Sequence, residues 1–280
     1  MASLFPSGPA LPDFKSLVVK GTYHPSAPIH LALSHAANLP DAGVLMITPS
    51  RETMVTALRE HNDDWMAAHS GQGNVLELSS CTKVFYPPSP AHFAYLVSML
   101  TTDDQSQDPT IILDQAPSLV ILIELSAYFL SDVQANPNGH PWTLASYMTL
   151  VARTLASFAT LSSLSEPSTT SSAIALVLFD SQLDQLKLPV LKHLTAGGNR
   201  KPSKPENATF FVQKYFEMTA IFEEDDEFFL NSSQEDEREM DGQRRNRMQI
   251  FHCGQNLPFE TQRWVEQPGG SSGGTIFLWD

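Results

Sequence analysis

Short apolar runs alternate with helix-spaced segments through the first two thirds of the chain, and this alternation limits the possible folds more than any other feature. The predicted strands are Ser16–Lys20, Gly43–Thr48, Val75–Leu78, Val84–Tyr86, Thr110–Leu113 and Ala173–Phe179. The predicted helices are Ile29–Asn38, Arg51–Ala68, Ala91–Leu100, Leu119–Leu130 and Trp142–Ala159. Strands that alternate with helices indicate βαβ units and a mostly parallel sheet. Because the strands are continuously apolar, we expect helices on both faces.

The last third of the chain has strand-like segments without intervening helices. These segments are Phe210–Phe222, Gln249–Cys253, Gln262–Glu266 and Thr275–Trp279. The glycine-rich run Gly269–Gly274 suits a hairpin connection. The sequence therefore predicts an antiparallel C-terminal extension at one edge of the sheet.

The 280 residues, 42% of them hydrophobic, are predicted to form one domain over 15–280, preceded by a flexible tail at 1–14. The tail contains two Phe and three Pro within Leu4–Phe14, so it is also a candidate for packing on the sheet edge of a neighbouring molecule. Loops are predicted at 161–172, 195–208 and 223–247. Nine acidic residues lie between Glu223 and Glu239 in the last of these loops.

The net charge of −14 argues against general binding of polyanions, so any nucleic-acid contact must be local or made through a partner. Local basic clusters fall within two of the predicted loops. Their candidates for DNA contact are Lys201, Lys204, Arg244, Arg245 and Arg247. Solvated loop charge is the competing interpretation.

The two cysteines, Cys81 and Cys253, form neither a disulfide framework nor a metal-ligand cluster, which favours a reducing compartment such as the nucleus or cytoplasm. The first residues have no signal-peptide pattern. The most apolar stretch, Ile111–Leu130, is interrupted by polar residues and proline, so no membrane span is predicted.

The first predicted strand leads into the loop Gly21–Pro28, at the place where a phosphate-binding loop lies between a strand and a helix. The motif G-x-x-x-x-G-K-[ST] uses glycines to bring N–H groups to the phosphates, a lysine to neutralise them and a hydroxyl to hold Mg²⁺. Gly21 matches the first glycine, but Ser26, Ala27 and Pro28 replace the second glycine, the lysine and the hydroxyl residue. Either the loop is a degenerate nucleotide site, with ATP and Mg²⁺ binding unexpected, or it is an ordinary βα turn.

Asp114 follows the predicted strand Thr110–Leu113, where a Walker B aspartate would orient Mg²⁺. A structural role at the strand end is the alternative. His24, His30 and His35 do not have the spacing of a zinc site, and no metal site is predicted. No catalytic nucleophile set is recognised, so no catalytic residue is assigned.

The order of these segments resembles the SWIM-associated recombinase paralogue of the Shu complex, a RecA-like family. The resemblance lies in the Gly21 loop, Gly43–Thr48, Lys83–Ser89 with its Phe-Tyr-Pro-Pro-Ser stretch, Thr110–Asp114, Arg263-Trp264 and Phe277–Trp279. It covers most of the chain and implies a RecA-like P-loop fold. It also implies a nuclear subunit that pairs with a SWIM-domain protein and assists the strand-exchange recombinase on single-stranded DNA in homologous recombination repair. The replaced residues Ser26, Ala27 and Pro28 argue against ATP hydrolysis, so the expected role is non-catalytic.

Two other functions fit parts of the pattern. RecA-like subunits of the Elongator complex, which acts in tRNA wobble-uridine modification, also have this fold without Walker motifs. A nucleotide-using enzyme with an unusual loop would need a substitute for the missing lysine, and Lys20 is the nearest candidate.

Overall fold

The computed structural model describes residues 2–39, 43–101, 113, 116–130, 142–164, 173–190, 204–225, 243–269 and 273–279. The strands are β1 Ser16–Gly21, β2 Gly43–Ile47, β3 Thr82–Phe85, β4 Pro117–Ile123, β5 Ala175–Asp180, β6 Lys187–Pro189, β7 Pro205–Asn207, β8 Met218–Glu224, β9 Arg244–His252, β10 Glu260–Pro268 and β11 Thr275–Trp279. The helices are α1 Ala27–Asn38, α2 Arg51–Glu60, α3 Asp64–His69, α4 Gly73–Ser80, α5 Pro90–Met99, α6 Leu144–Leu164 and α7 Thr209–Val212.

One nine-stranded sheet organises the molecule, with the order β11-β10-β9-β8-β1-β5-β4-β2-β3. The strands from β8 to β3 in this order are parallel. Strands β9, β10 and β11 continue the sheet in antiparallel pairing. Strands β6 and β7 form a separate small hairpin. The predicted α/β architecture is confirmed: a mostly parallel sheet with helices on both faces and an antiparallel C-terminal extension.

Alternate residues of the central strands enter two separate cores, as the two-residue period of a strand requires. On one face, residues such as Val18, Val120 and Leu178 pack under α5 and α6. On the other, Val19, Ile121 and Phe179 pack under α1 and the N-terminal segment. Helix α6 is long and apolar enough to span a membrane by length and composition, but Tyr147 and Val151 on it are buried in the first core.

The N-terminal segment does not form the flexible tail predicted for 1–14. Leu4, Phe5 and Leu11 are buried, and the Phe5 ring stacks on Phe277 of β11 with 4.2 Å between ring centroids. The Ser3 N–H also donates to the Ser34 hydroxyl of α1 at 2.7 Å. Residues 2–14 therefore pack against the chain's own C-terminal strands.

Several predicted elements differ from the structure. The predicted helix Leu119–Leu130 is wrong over its first part, where β4 occupies Pro117–Ile123, and residues 127–130 are helical. The predicted extended segment Val75–Leu78 lies inside α4. The single helix Arg51–Ala68 is divided into α2 and α3.

The predicted loops are only partly loops. Helix α6 continues to Leu164 within the predicted loop 161–172. Strand β7 lies within 195–208. Strands β8 and β9 extend into both ends of 223–247. Residues 165–172, 195–203 and 226–242 of these segments lie outside the described residues.

Candidate functional site

The candidate site lies where the parallel strands β1, β2, β4 and β5 end, because ligands of open α/β sheets bind at the carboxyl ends of the strands. The β1–α1 loop, Gly21–Pro28, borders a cleft of about 290 Å³ there. Apolar and hydroxyl side chains line most of this cleft, among them Met54, Ile123, Thr48 and Ser50. None of the described residues that line it is Lys, Arg or His.

A larger cavity of about 560 Å³ lies at the opposite ends of the parallel strands, between the N-terminal segment and α1. Its walls include Leu11, Phe14, His35 and Ser118. The His35 Nε2 and the Ser118 Oγ are 2.7 Å apart, so these two polar groups satisfy each other. The cavity lies at the amino ends of the parallel strands, and for that reason the smaller cleft is the better candidate site.

Gly21 begins the loop in the position expected for the first glycine of a phosphate-binding motif. Its φ of +91° falls in the left-handed region, and a Cβ atom there would lie 2.1 Å from the Phe222 carbonyl oxygen. Glycine is therefore required by the close approach of β1 and β8 at this point.

Three backbone N–H groups of the loop are already used within the loop itself. The Tyr23 N–H donates to the Gly21 carbonyl at 3.0 Å, and the Ala27 N–H donates to the His24 carbonyl at 2.9 Å. The Ser26 N–H donates to the Nδ1 atom of His24 at 3.3 Å. Pro25 and Pro28 have no N–H group. A loop with these groups engaged offers a phosphate few donors, although phosphate binding at helix N-termini depends on them.

Cationic charge is also missing from the loop. Ala27 occupies the lysine position and is fully buried at the first residue of α1. Lys20, the candidate substitute, has its Nζ atom 3.1 Å from both carboxylate oxygens of Asp184. Its ammonium group is thus held in an ion pair outside the loop.

Ser26, at the position of the second glycine, belongs to a buried hydrogen-bonded cluster. The Ser26 hydroxyl donates to Oδ2 of Asp63 at 2.6 Å, and Nε2 of His30 lies 2.6 Å from the same oxygen. The other oxygen of Asp63 accepts from the Met66 N–H at the start of α3. Burial favours the protonated acid, but the bonds from His30 and Ser26 outweigh it and lower the pKa of Asp63 below its ordinary value. The cluster therefore ties the loop and α1 to α3.

His24 completes this cluster, with its Nδ1 atom 2.8 Å from the Ser26 hydroxyl. Burial lowers the pKa of His24 to about 4, so its ring is neutral near pH 7. A neutral ring supplies no charge for a phosphate. Sequence spacing alone does not identify this cluster, because Asp63 joins it from a distant part of the chain.

The strand at the Walker B position is β4, so the acid that follows it is Glu124. The prediction placed that strand at Thr110–Leu113 and the acid at Asp114. Leu113 is not in a strand, and Asp114 lies outside the described residues. The sequence signal for Glu124 was present, since an apolar run ends there, but the run was interpreted as a helix.

Glu124 meets the β1–α1 loop across the cleft. One of its carboxylate oxygens accepts from the Tyr23 hydroxyl at 2.5 Å and from the Ser181 N–H at 3.0 Å. Burial, together with the nearby Glu124 carboxylate, raises the pKa of Tyr23 well above its ordinary value. Tyr23 therefore stays protonated and donates to the acid that in a P-loop enzyme would help to orient Mg²⁺.

Asp180, at the end of β5, is a second acid beside the cleft and is fully buried. It accepts from the Ser126 N–H at 2.9 Å, from the Ser126 hydroxyl at 2.5 Å and from the Gln182 N–H at 3.2 Å. Burial and the proximity of Glu124 raise the pKa of Asp180 to about 7, against the opposing effect of these hydrogen bonds. Asp180 thus joins the ends of β4 and β5 and is enclosed by protein groups.

The structure describes four of the five candidates for DNA contact, because Lys201 lies outside the described residues. Lys204 is exposed just before β7 of the small hairpin. Arg244, Arg245 and Arg247 lie on β9 of the main sheet, so the four described candidates are divided between two sheets.

The arginines of β9 are surrounded by acids. The Arg247 guanidinium lies 3.0 Å from the Glu223 carboxylate and 3.8 Å from the Asp225 carboxylate. Arg244 pairs across strands with Glu266. Such pairs reduce the positive charge that this surface presents to a phosphate backbone.

Within the described ranges, no group of three metal-ligating side chains is placed to hold a metal ion.

Comparison with known proteins does not assign the chain to a family. No protein-family model matches it, and no curated protein matches it either. Among solved structures, it is similar to the flagellar accessory protein FlaH from Methanocaldococcus jannaschii. The two are 10% identical, with a TM-score of 0.47 over 99% of this chain and 98% of FlaH. A similarity at this level carries no information about activity.

Proposed function

We propose that this chain is a non-catalytic RecA-like subunit that works by binding partners and not by hydrolysing ATP. The observation that supports this most strongly is the state of the Gly21–Pro28 loop. Three of its N–H groups are engaged within the loop, Ala27 replaces the lysine, and the Tyr23 hydroxyl is bonded to Glu124. Phosphoryl transfer depends on charge stabilisation by a lysine and Mg²⁺, and this loop supplies neither the ammonium group nor the hydroxyl.

The particular role we propose is that of a recombinase paralogue in homologous recombination repair in the nucleus. In this role the chain binds a SWIM-domain protein and the strand-exchange recombinase, and it contacts single-stranded DNA. The support for it is the resemblance in the Phe-Tyr-Pro-Pro-Ser stretch at Phe85–Ser89 and in the Arg263-Trp264 and Phe277–Trp279 segments. The ordered β3, β10 and β11 strands in which most of these residues lie are compatible with such a role.

Affinity purification of the tagged full-length chain from its native cells, followed by mass spectrometry, tests the proposed role. We expect a SWIM-domain protein to be recovered in stoichiometric amount. A matched purification of the Phe5→Ala variant controls for capture by an unfolded chain. Recovery of the other ring subunits of an Elongator-type assembly, with no SWIM-domain protein, would contradict the proposal and favour tRNA modification.

A further inference from the structure

We infer that the surface formed by Lys187, Lys204, Phe210, Lys214 and Tyr215, here called the Phe210 surface, binds single-stranded nucleic acid. The inference deepens the proposed function, since it locates the contact to the nucleic acid on the molecule. This surface includes neither the residues of the cleft nor the arginines of β9. Of its residues, only Lys204 was predicted from the sequence to contact DNA.

An unusually exposed aromatic ring is the first observation. Phe210 is 64% exposed and Tyr215 is 45% exposed, while the neighbouring Val212 and Phe216 are buried in the core. The short helix α7 therefore anchors itself through Val212 and presents Phe210 to solvent. Exposed aromatic rings are stacking platforms for unpaired bases, because every base has a π-face.

A cation beside the ring is the second observation. The Lys214 Nζ atom lies 4.3 Å from the centroid of the Phe210 ring. A base stacked on this ring would bring its phosphate into the neighbourhood of that ammonium group. The pairing of an aromatic face with a cation is the arrangement that single-strand binding surfaces use.

The small hairpin carries two further lysines on the strands that lead into α7. Lys187 on β6 pairs in register with Asn207 on β7, and the Asn207 side chain accepts from the Thr209 N–H at the start of α7. Lys187 and Lys204 are both exposed. Lys187 is thus at the end of the hairpin that adjoins α7, and Lys204 is at the other end of β7.

Local charge decides in favour of a polyanion. The described residues 187–190 and 204–214 contain three lysines and one acid, Glu206, within a chain of net charge −14. This local net charge of +2 attracts phosphates, whereas the chain as a whole repels them. The combination of local positive charge and an exposed ring favours a single strand, because the bases of a duplex are stacked on each other and not available to a side chain.

Fluorescence anisotropy with a labelled oligothymidylate, titrated with the full-length chain at low salt, tests this inference. We expect binding, and we expect the Phe210→Ala variant to bind at least about fivefold more weakly, because base stacking is worth about 1 kcal/mol or more. The matched control is Tyr95→Ala, which removes an aromatic ring of similar exposure from α5. This control is expected to bind like the wild type.

The salt dependence separates the phosphate contact from the stacking contact. The Lys214→Gln variant is expected to reduce the slope of log affinity against log salt by about 0.7, the value for one phosphate contact of a single strand. The exposed Arg59 of α2 gives the control Arg59→Gln, whose slope should equal that of the wild type.

Three results would overturn the inference. They are no binding of the oligothymidylate at low salt, equal affinities of Phe210→Ala and Tyr95→Ala, and displacement of the oligothymidylate by polyglutamate at an equal concentration of charge. The last result would identify the surface as one for acidic protein segments. None of these results would change the recovery of a SWIM-domain partner, so failure here is distinguishable from failure of the proposed function.

Discussion

Three residues decide what the cleft at the ends of the parallel strands can do. Ala27 removes the positive charge, Tyr23 donates its hydroxyl to the acid at the end of β4, and Gly21 sets the path of the loop. Of these, Gly21 and Ala27 were identified from the sequence, because a motif position is local. Glu124 and Asp180 were not identified, because the strand that carries Glu124 was interpreted as a helix and because burial, which raises the pKa of Asp180, depends on the whole fold.

Gly21 gives the first prediction. The substitution Gly21→Ala is expected to lower the free energy of unfolding by at least about 2 kcal/mol, since a left-handed φ is strained for alanine and the Cβ atom collides with a carbonyl oxygen. Urea denaturation measures the change. Gly71→Ala is the control, because a Cβ atom at Gly71 meets nothing within 4 Å. Equal losses in the two variants would show that the collision at Gly21 is not present.

Asp180 gives a prediction about pH. Its pKa is 3.8 in a model peptide and about 7 in the folded chain, so between these values the folded chain holds a proton that the unfolded chain has lost. The contribution of Asp180 to the free energy of unfolding therefore falls as the pH rises from the unfolded-state pKa to the folded-state pKa. The Asp180→Asn variant should lose this fall, and denaturation at a series of pH values measures it. Parallel profiles for the wild type and the variant would refute the assignment.

At the scale of elements, the sequence predicted strands correctly where apolar runs are short and end in turn residues. Strands β5, β10 and β11 were predicted close to their observed positions, whereas only the second half of β9 was predicted as a strand. Two apolar runs follow each other between Thr110 and Leu130, and a fully buried strand cannot be told from a buried helix by periodicity alone. The short segment in α4 was mistaken for a strand for the same reason.

The junction between α2 and α3 carries a prediction of its own. Asp63 caps α3 and pairs with the buried His30, so Asp63→Ala removes a cap and leaves a buried histidine and serine without their partner. We expect a loss of about 3 kcal/mol in the free energy of unfolding, as for the breaking of a buried ion pair. The control is Ser50→Ala, because Ser50 accepts from the Thr53 N–H at the start of α2 at a more exposed site. It should cost about 1 kcal/mol.

The break between these helices explains why one helix was predicted over Arg51–Ala68. The apolar spacing continues across Asn62 and Asp63, but the Thr275 N–H of β11 donates to the Asn62 carbonyl at 2.7 Å. A distant strand therefore ends the helix, and no local signal in the sequence records that contact. A larger loss for Ser50→Ala than for Asp63→Ala would contradict the role given to this junction.

At the scale of the whole molecule, the N-terminal and C-terminal segments form one aromatic cluster. Phe5 lies 5.8 Å from Trp264 and 5.9 Å from Trp279, measured between ring centroids, in addition to its stacking on Phe277. The aromatic residues of the tail can be identified from the sequence, but the residues on which they pack cannot. The same side chains could equally well pack on a neighbouring molecule. The structure gives them an intramolecular partner.

This cluster predicts the effect of Phe5→Ala. The variant should lose about 3 kcal/mol of stability, because it leaves a cavity in a buried aromatic cluster, and its tryptophan fluorescence should shift to longer wavelength. Denaturation monitored by fluorescence measures both. Tyr95→Ala, at an exposed site, is expected to change the stability by less than about 0.5 kcal/mol. A Phe5→Ala variant as stable as the wild type would mean that the segment does not cover β11 in solution.

Under the proposed function, the whole molecule binds no nucleotide at the cleft beside the Gly21–Pro28 loop. A calorimetric titration of the full-length chain with ATP and Mg²⁺ tests that statement directly. We expect no saturable heat of binding, since the loop lacks an ammonium group and three of its N–H donors are engaged. Saturable binding that is weakened by Glu124→Gln would contradict it and restore the cleft as a working nucleotide site.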